Sequence, residues 1–262
     1  MKKKRINKVI NNIITVCLIG IIAVSGFNIG KIIKGYLDGR SGYKEISKKA
    51  NIDPNQFTGV IDFDKLKAVN DEIAGWIYLK DTNINYPVMH AGDNDKYLHT
   101  MPSGDYNGAG SLFADHRNKP DFSDFNTIIY GHHMKDRTMF ADIDKYKDQD
   151  FYNGHKNMEF ITPQGRYHLE IISYYQTLAT GDSYKIDFYS ENDKKEFISN
   201  TLNQSLIKTA VTPDSSNRFL TLSTCVNATG DERYVVIGRL VPWTKEENLK
   251  AEELQAKIDK SK

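Results

Sequence analysis

Short runs of apolar and β-branched residues cover the chain from Trp76 onward and predict a mainly β domain with helical insertions. Pro163-Gln-Gly165 predicts a tight turn between two of these runs. Because the strands are short and numerous, we expect a closed eight-stranded barrel instead of a parallel α/β sheet. The predicted strands are Trp76–Leu79, Ile84–Met89, Gly110–Ala114, Thr127–Tyr130, Met158–Thr162, Arg166–Thr177, Arg218–Cys225 and Tyr234–Val241.

Three segments have the apolar spacing of helices. Thr138–Lys147 predicts a short insertion, and Glu191–Leu206 predicts a longer helix before the last two strands, with Ser190 as its N-cap. A further helix would open the folded domain and end at Gly75. Its apolar face would consist of Phe63, Leu66, Val69 and Ile73.

The N-terminus has the pattern of a membrane anchor. Lysines and an arginine precede the uncharged run Ile13–Ile29, which with its flanking apolar residues approaches the roughly 20 residues that span a bilayer. The basic residues should stay in the cytoplasm and the rest of the chain should lie outside. A cleaved signal peptide, with a loose site at Val24-Ser-Gly26, is the alternative. The predicted organisation is a cytoplasmic basic stub (1–8), a transmembrane signal-anchor (9–33), a juxtamembrane spacer (34–61), a folded domain (62–243) and a charged tail (244–262).

Composition and charge narrow the classes of function. The formal net charge is +1 over 262 residues, so no overall field recruits nucleic acid. Of the two cysteines, Cys17 lies in the apolar N-terminal run, which makes a structural disulfide implausible. Cys225 is therefore predicted to be a free thiol in an exported domain.

The stretch Phe219–Leu240 predicts a hairpin around Gly230 and Asp231, and its first strand carries the thiol. Alternation places Leu220 and Leu222 on a core face, and Thr221, Ser223 and Cys225 on a polar face that we expect to look outward. Antiparallel pairing would bring Cys225 close to Arg233. A guanidinium there would favour a thiolate and could stabilise an oxyanion. The alternative is a cysteine buried in the core.

A thiolate nucleophile needs a partner for proton transfer, and histidine is the usual one. His132 and His133 follow the apolar strand that ends at Gly131, so this strand would hold one of the rings rigidly. His116, two residues beyond a strand, is a weaker candidate. No His, Cys or carboxylate spacing near His132 and His133 resembles a zinc motif, so we predict no metal and no cofactor.

Several sequence blocks resemble the class B branch of the sortase family. The signature is Thr221-Leu-Ser-Thr-Cys225, with Arg233 eight positions further on and Tyr130-Gly-His132 upstream. The resemblance covers about Asp62 to Val241 and implies a sortase-type β-barrel as the catalytic domain. Further blocks match in the same order: Asn70-Asp-Glu-Ile-Ala-Gly-Trp-Ile77, Tyr86-Pro-Val-Met89, Tyr97-Leu98, Gly110-Ser-Leu-Phe-Ala-Asp115 and Tyr130-Gly-His-His-Met-Lys-Asp-Arg-Thr-Met-Phe140.

The resemblance also implies roles for individual residues. Cys225 would be the nucleophile, His132 the general acid for the leaving amine, and Arg233 the partner of the oxyanion or of the substrate carbonyl. His133 has no assigned role. Arg137 stands where the family commonly has glycine, which bears on the conformation of that loop. The peptide cleft would be lined by Tyr130, Ser223 and Thr224, with a wall from the Thr180-Gly-Asp-Ser-Tyr184 loop.

The implied activity is that of a membrane-anchored cysteine transpeptidase of Gram-positive cell surfaces. Such enzymes cleave a C-terminal sorting motif after its Thr and join the protein to an amine of the lipid-linked peptidoglycan precursor. Surface proteins with that motif and the membrane would be the partners, and the catalytic domain would be extracellular. Two alternatives are a cell-wall cysteine hydrolase or L,D-transpeptidase, and a non-catalytic surface adhesin on a β-barrel.

Overall fold

The computed structural model describes residues 2–53, 56–226 and 230–261. The chain divides into two compact units, and the boundary along the sequence falls between Ser41 and Gly42. The helices are α1 (Lys2–Lys49), α2 (Phe63–Lys67), α3 (Gln149–Gly154), α4 (Glu191–Asn203) and α5 (Lys245–Ser261). Short 3-10 helices span Lys96–Leu98, Ala141–Lys147 and Asp182–Tyr184. The strands are β1 (Ile73–Tyr78), β2 (Asn85–His90), β3 (Leu112–Ala114), β4 (Asn126–Tyr130), β5 (Asn157–Thr162), β6 (Gly165–Leu178), β7 (Phe219–Cys225) and β8 (Glu232–Pro242).

The strands form a closed barrel in the order β1-β2-β3-β4-β7-β8-β6-β5, and β1 also pairs with β5. Two neighbouring pairs, β2 with β3 and β4 with β7, are parallel, and the other pairs are antiparallel. The predicted fold class, a mainly β barrel of eight strands with helical insertions and a longer helix before the last two strands, is confirmed.

Apolar side chains fill the barrel interior from alternate positions of the strands. Leu220 and Leu222 on β7 are fully buried, as their alternation with polar residues predicts. They pack in one core with Ile77, Ile129 and Val236 from neighbouring strands. Burying a leucine contributes about 2 kcal/mol, so this face of β7 fixes which way the alternate residues point.

The opposite face of β7 is covered, which corrects the expectation that it looks outward. Thr221 and Ser223 are buried; Thr221 Oγ1 donates to Asn126 Oδ1 at 2.8 Å, and Ser223 Oγ lies 2.7 Å from the Tyr184 hydroxyl. The chain between β6 and β7 provides the cover, because Phe197 of α4 packs there in a second apolar cluster. The alternation of polar and apolar residues within one strand does not predict a contact with a distant part of the chain.

The helix expected to run from Asp62 to Gly75 is much shorter. α2 ends at Lys67, and the Leu66 carbonyl accepts hydrogen bonds from the next turn of the chain. Ile73 and Gly75 lie on β1 instead, where pairing with β2 and β5 prevails over the helical spacing. The short insertion predicted at Thr138–Lys147 is a 3-10 helix that begins at Ala141.

The folded unit also extends beyond the predicted domain at its N-terminal side. It begins at Gly42 rather than at residue 62, and Tyr43, Ile46 and Ala50 are buried. The Tyr43 ring packs edge-on against Tyr86, with ring centroids 4.9 Å apart. The part of the predicted spacer that contains Tyr43, Ile46 and Ala50 therefore contributes to the core.

The predicted charged tail is helix α5, and one side of it is packed. Ala251 and Gln255 are buried, and Gln255 Oε1 accepts a hydrogen bond of 2.6 Å from Thr58 Oγ1. Lys250 and Glu253 are exposed on the solvated side of the helix. The tail is thus an element of the folded unit.

Helix α1 begins in the N-terminal unit and ends at Lys49, past the boundary at Ser41, and it is long and apolar enough to cross a membrane. An 18-residue window of the helix has a mean hydropathy of 2.2, and none of that window is buried. Cys17 is exposed on this helix as a free thiol. These properties fit a membrane anchor, and the helix is longer than the predicted span of 9–33.

Candidate active site

The pairing of three adjacent strands brings the predicted site residues together. Tyr130 on β4 pairs with Ser223 on the parallel strand β7, and Cys225 pairs directly with Arg233 on β8. His132 follows Tyr130 by two residues, as Cys225 follows Ser223, so these two residues leave their strands at the same level. Neighbouring strands lie about 4.8 Å apart, so the backbones of His132, Cys225 and Arg233 lie in one row.

This row opens into a cavity of about 260 Å³. Seven residues that the sequence analysis placed at the site line the cavity, from β4 and the turn after it, from β7 and β8, and from the segment after β6. The lining residues are Asn94, Leu98, Phe113, Tyr130, Gly131, His132, Ala179, Tyr184, Ser223, Thr224, Cys225 and Arg233.

Gly131 determines how the chain leaves β4. A Cβ atom at this position would fall on the side chains of Leu112 and Phe140, so no other residue fits without a shift of the core. The Gly131 amide donates to the Ser223 carbonyl at 3.1 Å, which continues the β4–β7 pairing beyond Tyr130. The Phe140 amide donates to the His132 carbonyl at 3.0 Å. His132 is therefore held on both sides by backbone contacts.

The His132 ring has a defined hydrogen-bond partner. Its Nε2 lies 2.7 Å from the Leu98 carbonyl oxygen, which can only accept, so Nε2 carries a proton. In the neutral ring Nδ1 is then the atom that takes up a second proton. Burial lowers the pKa of His132, the Leu98 carbonyl opposes this effect, and the nearby His99 lowers the pKa further.

Cys225 and Arg233 form the last pair of the β7–β8 hairpin before the connection between the two strands. The Cys225 thiol is half-buried and free. Arg233 Nη1 donates to the carbonyls of Gly230 and Glu232 at 2.8 and 3.0 Å. Among the described residues, Arg233 Nε and Nη2 have no hydrogen-bond partner, and a guanidinium has five N–H donors. Arg233 can therefore donate hydrogen bonds to an oxyanion through these two nitrogens.

Two stacked tyrosines form one wall of the cavity. The rings of Tyr130 and Tyr184 are nearly parallel, with centroids 6.2 Å apart, and the Tyr184 hydroxyl bonds to Ser223. Burial raises the pKa of Tyr184 to about 12, against the effects of Ser223 and Arg233, so it stays a neutral phenol. The Tyr130 hydroxyl donates to Asp115 Oδ2 at 2.9 Å.

Asp115 anchors this wall from behind. Its side chain is fully buried and accepts two hydrogen bonds from the Arg117 guanidinium, at 2.9 and 2.8 Å. Burial acts to raise the pKa of Asp115, but the hydrogen bonds from Arg117 and Tyr130 outweigh it and lower the pKa to about 2. The pair is bidentate, which gives it geometric specificity as well as strength.

We expect Asp115→Asn to remove a pH-dependent part of the stability. A carboxyl whose folded pKa lies below its unfolded value stabilises the fold above about pH 4 and loses this contribution as the pH falls toward 2. The shift from 3.8 to about 2 corresponds to roughly 2 kcal/mol. Denaturant titrations of the detergent-solubilised chain should show that the wild type loses about 2 kcal/mol more than the variant over this range. Glu253→Gln, on the exposed side of α5, is the control and should retain the wild-type loss. Equal losses in wild type and Asp115→Asn would contradict this account.

The adjacent histidines diverge. His133 Nε2 lies 3.1 Å from Asp144 Oδ2, and His133 is not among the residues that line the cavity. Arg137 adopts a φ of 65°, a left-handed conformation that favours glycine, so the loop keeps that shape with an arginine in place. The Arg137 guanidinium bonds to both Asp142 and Asp144, at 2.7 to 3.1 Å.

The other predicted cleft residues fall at different places. Ser223 and Thr224 line the cavity but are buried, and Thr224 Oγ1 has no hydrogen-bond partner among the described residues. Thr180 is exposed and does not line the cavity, although the preceding Ala179 does. Four further lining residues had no assigned role, since apolar and amide side chains carry no chemical signal in the sequence: Asn94, Leu98, Phe113 and Ala179.

Comparison with known proteins places this barrel and cavity in a family. A model of the sortase domain matches residues 77–241. Sortase B of Listeria monocytogenes is 34% identical over 248 residues, which cover 90% of this chain and 99% of that protein. The crystal structure of Bacillus anthracis sortase B in complex with AAEK1 superposes with a TM-score of 0.73 at 36% identity, over 81% of this chain and all of that chain. A Staphylococcus aureus sortase B–substrate complex superposes with a TM-score of 0.67 at 35% identity, over 70% of this chain and 85% of that chain.

The chain belongs to the sortase family, and it is accordingly a cysteine transpeptidase. Its similarity to sortase B proteins over most of its length identifies it more narrowly as a class B sortase. The predicted resemblance is confirmed.

Proposed function

We propose that the enzyme cleaves a C-terminal sorting motif after its Thr through a thioacyl intermediate on Cys225. The observation that carries this proposal is that His132, just after β4, Cys225 on β7 and Arg233 on β8 line one cavity. Each side chain has one chemical task there, and the tasks together make up an acyl transfer.

In the first half-reaction, the Cys225 sulfur attacks the carbonyl carbon of the Thr, and its proton passes to Nδ1 of His132. The resulting tetrahedral oxyanion lies near the free donors of Arg233, which stays charged at neutral pH. The imidazolium then gives its proton to the leaving amine, the C–N bond breaks, and a thioester remains. A lowered His132 pKa makes this imidazolium a stronger acid.

In the second half-reaction, an amine of the peptidoglycan precursor attacks the thioester. His132 takes the proton of the incoming amine, Arg233 again stabilises the oxyanion, and the thiol is regenerated as the new amide forms. The product is a surface protein joined to the peptidoglycan precursor, from which it would enter the cell wall. The S. aureus sortase B structure contains a bound substrate, which supports a similar use of the cavity in this chain.

The shape of the cavity supports recognition of a peptide. Its walls present the tyrosine rings of Tyr130 and Tyr184 and the backbone of β7, and the sorting motif would lie between them. Ser223, Thr224 and Tyr184 would bound the motif near the scissile bond. Thr180 would contribute from outside the cavity.

A membrane anchor supports this function physically. Residues 1–8 would be a cytoplasmic basic stub, 9–33 the transmembrane span, and the unit from Gly42 onward an extracellular catalytic domain. Both substrates, the unprocessed surface protein and the lipid-linked amine, would then lie on the same membrane face. Tethering raises the effective concentration of enzyme and substrates without new contacts.

The test uses the full chain in detergent micelles with a panel of sorting pentapeptides. We expect at least one peptide to form a covalent adduct on Cys225, detected by mass spectrometry of the intact protein, and to be released as an amide when an amine acceptor is added. A second arm supplies purified muropeptides without a sorting peptide. Turnover of muropeptides alone would refute the proposal in favour of a cell-wall hydrolase or an L,D-transpeptidase. Absence of adduct with every peptide, in a chain whose Cys225 does not react with thiol reagents, would refute it in favour of a non-catalytic surface protein.

A further inference from the structure

His99 lies immediately after the 3-10 helix Lys96–Leu98, in a segment that is fixed to the barrel. The Ser111 amide donates to the Tyr97 carbonyl and the Asn107 amide donates to the His99 carbonyl, both at 2.9 Å. Gly110 has a φ of 55°, and a Cβ atom there would fall on the carbonyls of this segment. The position of the His99 backbone is therefore determined by packing.

The His99 ring stacks on the ring of His132. The centroids lie 5.7 Å apart, and the planes differ by 14°. The neighbouring Leu98 carbonyl accepts the hydrogen bond from His132 Nε2 at 2.7 Å. Two consecutive residues thus contact the same imidazole, one at its edge and one at its face. The exposed ring of Tyr106 also lies near His99, with ring centroids 5.9 Å apart.

We propose that His99 is a positioning residue for the transpeptidase reaction proposed above, stacking on His132 to fix the plane of that ring and to oppose a positive charge on it. The stack and the Leu98 bond together leave His132 little freedom to rotate. Nδ1 then stays the nitrogen that exchanges a proton during acyl transfer.

The electrostatic part of this role follows from the charges around His132. The titratable or charged groups that face the cavity with it are Cys225, Arg233, Tyr130 and Tyr184. The His99 imidazole stacks on the His132 ring, and its electrostatic effect lowers the pKa of His132. Burial already lowers that pKa, and the Leu98 carbonyl acts against both effects. His99 therefore strengthens His132 as an acid toward the leaving amine.

The test measures the titration of His132 directly, in the full chain in micelles with ¹³C- and ¹⁵N-labelled histidine. The His132 signal is assigned by its loss in His132→Gln. His99→Phe keeps a stacking ring but removes the imidazole, so we expect the His132 midpoint to move to higher pH while the signature of the Nε2–H tautomer stays. His99→Ala removes the stack as well, so the tautomers should become mixed. The loss of the stacking contact should lower kcat/KM about two- to tenfold in His99→Ala.

Lys96→Gln is the matched control, because Lys96 lies in the same segment and pairs with Glu72 at 2.7 Å, away from the His132 ring. It should leave the His132 midpoint and tautomer unchanged. An unchanged midpoint in His99→Phe, or an equal shift in Lys96→Gln, would overturn the inference. Since His99→Ala could fail to fold, the Phe variant alone decides the electrostatic part.

The titration needs no turnover, so the two proposals fail in distinguishable ways. A chain that processes sorting peptides but shows no shift in His99→Phe would refute the role of His99 alone. A chain that shows the shift but processes no sorting peptide would refute the proposed reaction, and with it the role of His99 in that reaction.

Discussion

Replacing Cys225 with alanine is expected to abolish cleavage of a sorting peptide and to leave the fold intact. The sulfur forms the acyl-enzyme bond, and no other nucleophile is assigned at the site, so kcat/KM should fall by roughly 10⁴-fold or more. The side chain is half-buried at the end of β7, and its loss creates no cavity in the barrel core. The measurements are kcat/KM with a fluorogenic peptide, the mass of the acyl-enzyme, and circular dichroism of the purified chain.

Cys17→Ala is the matched control for this variant. Cys17 is the only other cysteine of the sequence, and it is exposed on the apolar helix α1. The control should retain wild-type kcat/KM and adduct formation. Retained turnover in Cys225→Ala would exclude Cys225 as the nucleophile. A loss of adduct in Cys17→Ala would indicate that Cys17, and not Cys225, forms the covalent bond.

His132→Ala is expected to lower kcat/KM by about 10³-fold, because the amine would then leave without a proton donor. General acid catalysis contributes 10² to 10⁴-fold, and His132 is the histidine that lines the cavity beside Cys225. The backbone of the turn is held by Gly131 and Phe140, so the truncation should not displace it. A second effect is expected in the first half-reaction, since the thiol loses the acceptor of its proton. Rapid-mixing measurement of thioester formation separates that step from overall turnover.

The neighbouring histidine provides the comparison that tests the assignment. His133 pairs with Asp144 outside the cavity, so His133→Ala should change kcat/KM by less than about fivefold and act through the loop alone. Both variants remove one imidazole from the same turn. A large loss in His133→Ala together with near-normal activity in His132→Ala would reverse the assignment of the general acid.

The barrel could be predicted because most of its strands have local signals. β7 is an example: Leu220 and Leu222 alternate with polar residues, and both are in the core. The pairing of Cys225 with Arg233 follows from hairpin geometry, and it is present as predicted. The closeness of His132 to this pair depends on β4 pairing in parallel with β7, which local sequence does not specify.

The expectations that failed concern surfaces covered by distant parts of the chain. Thr221 is buried because the chain between β6 and β7 folds over it, and Tyr43 is buried because it meets Tyr86. Ile73 has helical spacing relative to Leu66, but two strand partners hold it in β1. Leu98 shapes the site through its carbonyl oxygen, an atom that every residue has and that no motif can reveal.

Parallel pairing of β4 and β7 has a consequence for the order in which the site assembles. The connection between these strands contains β5, β6 and α4, so a chain synthesised only as far as His132 has that imidazole but not yet Cys225. A chain that includes Cys225 but has not closed its barrel does not bring this thiol to the imidazole or to the tyrosine wall. Acyl transfer therefore requires a complete barrel, and a nascent or partly folded chain has no assembled site with which to react.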